Sequence, residues 1–505
     1  MTRPDTVAIA PGPAQSLVQA LRGAGRDLED AADTGWRLTA RIDGRSDAPA
    51  RLEDVAAWSR RCANDLDARV ERLVALDRAP VTVQRPGGVT RLHVDLTGVT
   101  DFARLLSILS EVGLLPGCVP AGEPAARHRA FTLLPPEIVA LLLRQVPDLL
   151  ARTDGLPFTL RDRANRRLLG HELTRLRAHA RGLEAGIRAE LSSLGVHEPR
   201  LDSSPALHRQ LLAVRGLSGQ GWVALSQRHR QLIELRALQQ QLTRWRVDED
   251  LQLVALDLPK RRVVLARGDL DTASHVAVLV PGANSALLTI GRSYVPWMDR
   301  LQEVTQQRLE LEGGAGRAAT VLWLDFDAPE GLIPAALGTG PANEAAGRLP
   351  AFLDGVAAVD RELVTTIGHS YGSVVVGRSL ARRAGGVASD QVVALGSPGM
   401  GVQGDRELGL RDDQRLYAST LPGDPISAVG RWNPVTGDLG RVIHGPDPRR
   451  LSGAETVALP VHDLDARGTR VQRATERHMQ YFESGSVALG TFADLVAGRH
   501  RYGRR

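Results

Sequence analysis

The sequence is poor in cysteine and has no long apolar run, and both absences exclude classes of protein. Only two cysteines, Cys62 and Cys118, stand in 505 residues, which is too few for a disulfide framework, and neither has a metal-binding spacing. No apolar run reaches the ~18 residues that a membrane span needs, and no signal-peptide core follows Met1. We therefore expect a cytoplasmic protein without a membrane span, with export by a route that needs no classical signal as the alternative.

Lysine is nearly absent as well, because Lys260 is the only one and arginine carries the other basic charges. The net charge is +5, from 63 basic and 58 acidic residues. Acids and bases are interspersed, and the only basic cluster is the tail from Arg499 to Arg505. This distribution argues against a nucleic-acid partner. Hydrophobic residues at 43% and charged residues at 24% are typical of a globular protein.

The first half of the chain has the pattern of a mainly helical region. After the first helices, apolar residues alternate with other residues from Pro80 to Leu96 on either side of Pro86-Gly87-Gly88. This pattern predicts a β-hairpin. Apolar residues recur at helical spacing over 14–41, 51–76, 173–194 and 221–247. We expect the last two helices to form an antiparallel pair that packs within the chain. Residues 1–247 are therefore predicted to be a mainly α-helical N-terminal region.

The pattern changes after Asp248, where short apolar strands begin to alternate with helical segments. Two strands flank Pro259-Lys260 as a hairpin, and His275 to Val280 is almost wholly apolar, as a strand buried on both faces requires. Predicted helices over 287–311, 345–359 and 373–383 alternate with predicted strands over 318–324, 363–367, 391–395 and 415–419. This alternation predicts a mostly parallel, doubly wound sheet, an α/β fold of the α/β-hydrolase type, over residues 248–505.

The pentapeptide Gly368-His369-Ser370-Tyr371-Gly372 has the G-x-S-x-G pattern of a nucleophile elbow. It follows a predicted strand and opens a predicted helix, which is the context that the motif requires. Gly368 and Gly372 leave room where side chains would clash with the neighbouring helix and strand. Ser370 is therefore the predicted nucleophile, at a helix N-terminus whose dipole favours negative charge.

A serine nucleophile needs a histidine base and an orienting carboxylate, in the chain order Ser, Asp or Glu, His. Asp424 follows the predicted strand 415–419 in a Leu-Pro-Gly-Asp-Pro turn, at the carboxyl end of the sheet where such sites lie. Position alone does not separate His462 from His478 as the base. The weaker alternatives are Asp463 and Asp465 for the acid and His444 for the base.

An oxyanion hole needs two backbone N–H donors. One is the amide of Tyr371, directly after the nucleophile. The other lies in the loop Pro281 to Ser285, where Gly282 lets the backbone approach the substrate and Ala283 is the candidate donor. No metal, nucleotide or flavin cofactor is implied, since the Gly-bearing stretch 338–341 lacks the lysine of a phosphate-binding loop.

Taken together, these segments resemble an actinobacterial α/β-hydrolase family of unknown function that is distantly similar to cutinases and small lipases. The matching segments are Val280 to Asn284, Trp323 to Pro329, the elbow with Ser373, Gly396 to Gly399, Pro422 to Ile426, and His478 with Tyr481-Phe482, preceded by Asp154 to Pro157 and Arg161 to Arg166. The resemblance covers roughly residues 145–500. It implies a triad of Ser370, Asp424 and His478, and so favours His478 over His462. Many lipases have His-Gly where this chain has Pro281-Gly282.

We therefore expect a serine hydrolase that acts on carboxylic esters through an acyl-enzyme, with a small-molecule acyl substrate as its partner. A thioesterase, an amidase or an acyltransferase of the same fold are the alternatives within this class. A different class is a helical binding or type VII-like exported module that carries an inactive hydrolase scaffold. Trp36 and Trp58 lie on predicted helices but lack the Trp-x-Gly turn, and the intact order of Ser, Asp and His argues against an inactive site. The oligomeric state and the acyl-chain length have no signal in the sequence.

Overall fold

The structure is a computed structural model, and its described residues fall into two compact units. The first unit has the bounds Met1–Val99 and Pro135–Gln145, and the second has the bounds Thr100–Leu134 and Val146–Arg505. No helix in the described part of the chain is long and apolar enough to cross a membrane. The described residues are 11–41, 47–78, 81–85, 88–96, 98–115, 123–197, 199–202, 218–311, 313–331, 338–383, 386–426, 443–460 and 476–499.

Helices and strands are numbered in chain order over these described residues. The helices are α1 (Pro11–Arg41), α2 (Ala48–Arg78), α3 (Phe102–Glu111), α4 (Pro124–Thr132), α5 (Pro136–Gln145), α6 (Pro147–Arg152), α7 (Phe158–Ser193), α8 (Gly219–Val247), α9 (Ile290–Ser293), α10 (Val295–Glu310), α11 (Gly340–Ala345), α12 (Arg348–Val356), α13 (Tyr371–Ala381), α14 (Asp405–Leu408) and α15 (Val487–Val496). The strands are β1 (Val81–Arg85), β2 (Gly88–Leu92), β3 (Leu251–Asp257), β4 (Arg262–Arg267), β5 (His275–Val280), β6 (Ala318–Leu324), β7 (Leu363–His369), β8 (Gln391–Leu395), β9 (Arg415–Ser419) and β10 (Ala454–Thr456).

The first unit is built on the two long helices α1 and α2, which pack along each other. Gly25 on α1 lies against Ala56 and Ser59 of α2, so that small residues let the two backbones approach. Strands β1 and β2 form an antiparallel hairpin, as predicted, and Pro86-Gly87 of its turn lie outside the described residues. Helix α5 also belongs to this unit.

The second unit is organised around a sheet that has eight strands within the described residues, in the order β10-β9-β8-β7-β5-β6-β4-β3. Neighbouring strands from β10 to β6 are parallel, and β4 is antiparallel to both β3 and β6. Every residue of β5 and β6 is buried, as expected for central strands with both faces covered. The sheet confirms the predicted mostly parallel α/β-hydrolase fold with its antiparallel start.

Helices α7 and α8 belong to the second unit and run antiparallel to each other. Arg236 on α8 pairs with Glu184 on α7 (2.7 Å), and Gln239 donates to the carbonyl of Leu176 (2.8 Å). Residue numbers thus rise along one helix as they fall along the other, which is the arrangement predicted for this pair. Polar contacts attach α7 to the edge strand β3, where Asp162 accepts a hydrogen bond from the amide of Leu253 (2.7 Å).

The helical region predicted over residues 1–247 therefore contributes to both compact units. The division into an N-terminal region 1–247 and a catalytic domain 248–505 stays a prediction about function.

Several elements of the second unit differ in their bounds from the predicted ones. The helix predicted over 287–311 is divided into α9 and α10, because Pro296 lies in the first turn of α10 and favours a new helix start. The helix predicted over 345–359 is shorter and corresponds to α12 (Arg348–Val356), while α11 ends at Ala345, where the predicted helix begins. Strand β10 ends at Thr456, before the strand predicted over 457–461, of which residue 461 lies outside the described residues. The order of the strands that position the site is unaffected.

Candidate active site

The elbow lies between β7 and α13, and Ser370 is the residue at which the chain reverses. Its backbone has φ 55° and ψ −127°, a conformation that costs a non-glycine residue about 1–3 kcal/mol and that clusters at functional sites. The Ser370 amide donates a hydrogen bond to the carbonyl of Leu395 on β8 (2.8 Å). The serine is thereby held at the carboxyl end of the sheet.

The two motif glycines are required by close packing, as the sequence predicts. A Cβ on Gly368 would lie 2.6 Å from the Cα of Ser373 in the helix. A Cβ on Gly372 would lie 2.1 Å from the carbonyl oxygen of Val280 in β5. Side chains at these positions would force α13 away from the sheet and displace Ser370.

Asp424 lies in the turn after β9, and its carboxylate is buried. Nδ1 of His478 lies 3.0 Å from Oδ1 and 2.9 Å from Oδ2 of this carboxylate. The phenol of Tyr481 donates to Oδ2 (2.7 Å), and the amide of Ile426 donates to Oδ1 (2.9 Å). The structure therefore brings the predicted acid and the predicted base into direct contact.

These hydrogen bonds determine the charge of Asp424. Burial alone raises the pKa of the Asp424 carboxyl, but the hydrogen bond and charge of His478 and the hydrogen bonds of Tyr481 and Ile426 outweigh it, and the pKa is lowered. Burial and the nearby carboxylate raise the pKa of Tyr481 well above its ordinary value. The aspartate is thus ionised at neutral pH, while the tyrosine keeps the proton that it donates.

His478, the predicted base, lies next to the elbow. Its ring centroid is 4.6 Å from that of His369, the residue before Ser370. A carboxylate accepts hydrogen bonds only, so the Nδ1 of His478 carries the proton shared with Asp424, and Nε2 is left to accept one. The Ser370 hydroxyl has no hydrogen-bond partner within the described residues, and catalytic hydrogen bonds of this kind often tighten only in the substrate complex.

The alternative acids and bases do not join this group within the described residues. The ring of His444 packs edge-on against that of Tyr371, at a centroid distance of 6.2 Å. His462, Asp463 and Asp465 lie outside the described residues. No set of three or more metal-ligating side chains in the described part of the chain is placed to hold a metal ion.

The loop after β5 approaches Ser370 closely. A Cβ on Gly282 would lie 2.7 Å from the Cβ of Ser370, so a glycine is required for this approach. The Gly282 amide donates to the hydroxyl of Tyr294 (2.9 Å), and the Asn284 amide donates to the carbonyl of Pro329 (2.9 Å).

Ala283 lies between these two anchored residues and is half-buried. Its amide has no acceptor within the described residues. The amide of Tyr371 is the first of helix α13, where backbone N–H groups lack an intrahelical acceptor. Burial raises the pKa of the Tyr371 phenol to about 12, and this phenol donates to the carbonyl of Gly338 (3.0 Å). The two predicted oxyanion donors therefore directly follow Gly282 and Ser370, the two residues that approach each other closely here.

Sequence reasoning gave no role to two tyrosines that contact the site, Tyr294 and Tyr481. Tyr481 entered only as part of a resemblance, although its spacing of three residues from His478 was visible. Residues three apart in a turn or helix can share a face, and both side chains here reach Asp424. No sequence pattern indicated Tyr294, because it reaches the site from the start of α10, far from the elbow in the sequence.

Comparison with known proteins agrees with this description. A family model described as alpha/beta hydrolase matches residues 259–434. An uncharacterized protein of Mycobacterium tuberculosis is 27% identical over 254 residues, which are 47% of this chain and 37% of that protein. An uncharacterized protein of Mycobacterium bovis is 34% identical over 215 residues, which are 38% of this chain and 76% of that protein. The crystal structure of a predicted CIB-like hydrolase from Thermoplasma acidophilum aligns with 47% of this chain and 93% of that one, at 14% identity and a TM-score of 0.25.

The fold and the family match define an α/β hydrolase. With a mycobacterial relative that is 34% identical and matched over 76% of its own length, the chain belongs to the alpha/beta hydrolase family. The resemblance stated from the sequence is thereby confirmed. The chain spans 37% of the length of the Mycobacterium tuberculosis relative.

Proposed function

We propose that the protein is a serine hydrolase that cleaves carboxylic esters through an acyl-enzyme intermediate. The observation that carries the proposal is the hydrogen-bonded pair of Asp424 and His478, which lies beside a strained serine between a strand and a helix. A buried ionised carboxylate that orients a histidine next to such a serine is the arrangement that activates a hydroxyl for acyl transfer.

In the proposed acylation step, Oγ of Ser370 attacks the ester carbonyl carbon as Nε2 of His478 takes the hydroxyl proton. The carbonyl oxygen becomes an oxyanion, which accepts hydrogen bonds from the amides of Ala283 and Tyr371. The imidazolium then gives its proton to the leaving alcohol as the carbon–oxygen bond breaks. The serine is left as an ester of the substrate's acyl group.

In the proposed deacylation step, a water molecule takes the place of the alcohol. His478 removes a proton from this water as its oxygen attacks the acyl-enzyme, and the proton then passes to Oγ of Ser370 as the carboxylic acid leaves. Asp424 keeps its negative charge throughout, because its lowered pKa favours the ionised form that stabilises the imidazolium. The dipole at the start of α13 favours the oxyanion in both steps.

The proposed partner is a small-molecule acyl substrate, and no step needs a metal or an organic cofactor. Thioesters and amides pass through the same tetrahedral intermediate, and an alcohol in place of water would make the protein an acyltransferase. A panel of p-nitrophenyl esters of increasing acyl length, with matched thioesters and anilides, separates these activities. If the protein is a carboxylic esterase, kcat/KM should be highest on one of the oxygen esters.

The direct test of the nucleophile is labelling by a fluorophosphonate probe, which reacts with activated serines. Wild-type protein should be labelled, and Ser370→Ala should not. Ser379→Ala is a matched control, because Ser379 lies on the same helix with its hydroxyl bonded to the carbonyl of Val375 (2.8 Å), and it should be labelled like wild type. Absence of label on wild type, or equal labelling of Ser370→Ala, would contradict the proposal.

The choice of base is tested by a pair of variants with the same chemical change. His478→Ala should lose esterase activity by about 10³-fold or more, as expected when a triad member is removed. His462→Ala should keep activity close to wild type. The reverse result would show that His462 is the base and that the contact of His478 with Asp424 has another purpose.

A further inference from the structure

A continuous chain of hydrogen bonds joins the two sides of the site through His369. The Gly282 amide donates to the hydroxyl oxygen of Tyr294 (2.9 Å). This hydroxyl lies 2.8 Å from Nδ1 of His369, and Nε2 of His369 lies 2.9 Å from the backbone carbonyl oxygen of His478. The chain runs from the residue before the candidate oxyanion donor to the residue that is the candidate base.

Only one assignment of protons satisfies every contact in this chain. The carbonyl of His478 can only accept, so Nε2 of His369 carries a proton. Burial, followed by the positive charge of a protonated His478, lowers the pKa of His369 to about 3, so the ring is neutral and its Nδ1 accepts. The hydroxyl of Tyr294 then donates to Nδ1 while its oxygen accepts from Gly282. Burial raises the pKa of this phenol to about 12, which keeps its proton in place.

Aromatic rings enclose His369 and hold it in one orientation. The ring of Trp297 meets it edge-on at a centroid distance of 4.9 Å, and Tyr481 meets it at 5.4 Å. His369 is 1% exposed, so water does not compete for its two nitrogens. In such surroundings a hydrogen bond is stronger than in water and an unsatisfied polar group is costly, which favours one geometry for the whole chain.

We propose that His369 is a positioning residue that works with Tyr294 to fix the base and the oxyanion loop relative to Ser370. The inference rests on the proposed function, since it concerns the geometry of that same site. His369 touches no reacting atom. It precedes the nucleophile in the chain, so its position is set by the elbow itself. Its two nitrogens then fix the distance from the elbow to the His478 backbone on one side and, through Tyr294, to Gly282 on the other.

The test measures kcat and KM on p-nitrophenyl butyrate for Tyr294→Phe, His369→Phe and the double variant. Each single variant should lose about tenfold in kcat, equivalent to ~1.4 kcal/mol of transition-state stabilisation, while KM stays within about twofold of wild type. Since both residues act through one chain, the double variant should be no slower than the slower single one. Losses that multiply in the double variant would overturn the proposal, as would a wild-type kcat in Tyr294→Phe.

A second comparison separates positioning from space filling at residue 369. Phenylalanine preserves the volume of a ring, whereas the amide nitrogen of glutamine reproduces a donor near the place of the histidine Nε2. His369→Gln should therefore recover several-fold more kcat than His369→Phe retains. If phenylalanine equals or exceeds glutamine, His369 only fills space and the proposal is wrong.

Two control variants make the same chemical changes away from the site. Tyr417 lies on β9, and His275 is the first residue of β5, at the opposite end of the sheet from the elbow. Tyr417→Phe and His275→Gln should both keep wild-type kcat. Failure of wild type to react with a fluorophosphonate would remove the proposed function itself, whereas a reactive wild type with unaffected Tyr294 and His369 variants would remove only this inference.

Discussion

Acidification should destabilise the protein through His369, before the carboxylates are protonated. Burial, and then the charge of a protonated His478, lower the pKa of His369 from 6.5 to about 3. The unfolded chain takes up a proton at this residue as the pH falls below about 6.5, whereas the folded chain takes it up only near pH 3. The contribution to stability is therefore complete above pH 6.5 and is lost as the pH falls from there toward 3.

The size of this effect follows from the linkage between protonation and folding. At pH 8 neither state binds a proton at His369, and at pH 5 the unfolded state binds nearly one while the folded state binds almost none. Integrated over that interval, the free energy of unfolding should fall by about 2 kcal/mol through this one residue. A loss of this size is a substantial part of the ~5–15 kcal/mol by which most proteins are stable.

The assay is urea unfolding of wild type and His369→Gln at pH 8 and pH 5, followed by tryptophan fluorescence. Trp297 lies 4.9 Å from His369 between ring centroids, so it reports on unfolding at this point. Other groups titrate in both proteins alike, and the difference between the two pH dependences isolates His369. Wild type should lose about 2 kcal/mol more than the variant on acidification. Equal losses in the two proteins would show that His369 does not titrate between the folded and unfolded states in this way.

Two further variants test a hydrogen bond at the site and the packing of helix α13. Tyr481→Phe removes a hydrogen bond to the carboxylate of Asp424 (2.7 Å). The kcat on p-nitrophenyl butyrate should therefore fall about tenfold, which corresponds to a loss of ~1.4 kcal/mol of transition-state stabilisation. A wild-type kcat in this variant would contradict the expectation. Gly377→Ala would place a Cβ 1.9 Å from the carbonyl oxygen of Met400, and urea unfolding should show a loss of about 2–4 kcal/mol. Gly182→Ala, on α7 with nothing within 4 Å of its Cβ, is the matched control and should gain about 0.5–1 kcal/mol; an equal loss in both variants would mean that the contact at Gly377 is not the cause.

The strands of the sheet were the most predictable part of the fold. The predicted strands over 318–324, 391–395 and 415–419 coincide with β6, β8 and β9, because strands covered on both faces are short, continuous apolar runs between polar turns. Helix ends were less predictable. The predicted helix 373–383 begins two residues earlier as α13, since residues of the elbow itself form the first turn.

The sequence reveals more about the proposed acid, Asp424, than about the proposed base, His478. Asp424 follows a recognisable strand, so the topology of the sheet fixes its place at the carboxyl end. Within the described residues no strand leads directly into His478. It lies 54 positions after Asp424 in the chain, and many of the residues between them lie outside the described part. No periodicity reports such a contact, which is why position alone left His462 and His478 equal and why a family resemblance was needed to separate them.

The elbow pentapeptide makes contacts that the G-x-S-x-G pattern does not specify. Its two glycines are needed because side chains at those positions would clash with neighbouring atoms. Ser370 and Tyr371 provide a hydroxyl and a backbone amide at the turn. The pattern leaves the residue before the serine free, yet in this chain that residue is a buried histidine with both nitrogens engaged. A glycine or alanine there would satisfy the pattern and the turn but would leave the hydroxyl of Tyr294 and the carbonyl of His478 without their partner, at a cost of about 1–3 kcal/mol for each buried group. The tolerance of this position to substitution should therefore follow hydrogen-bonding capacity more closely than size.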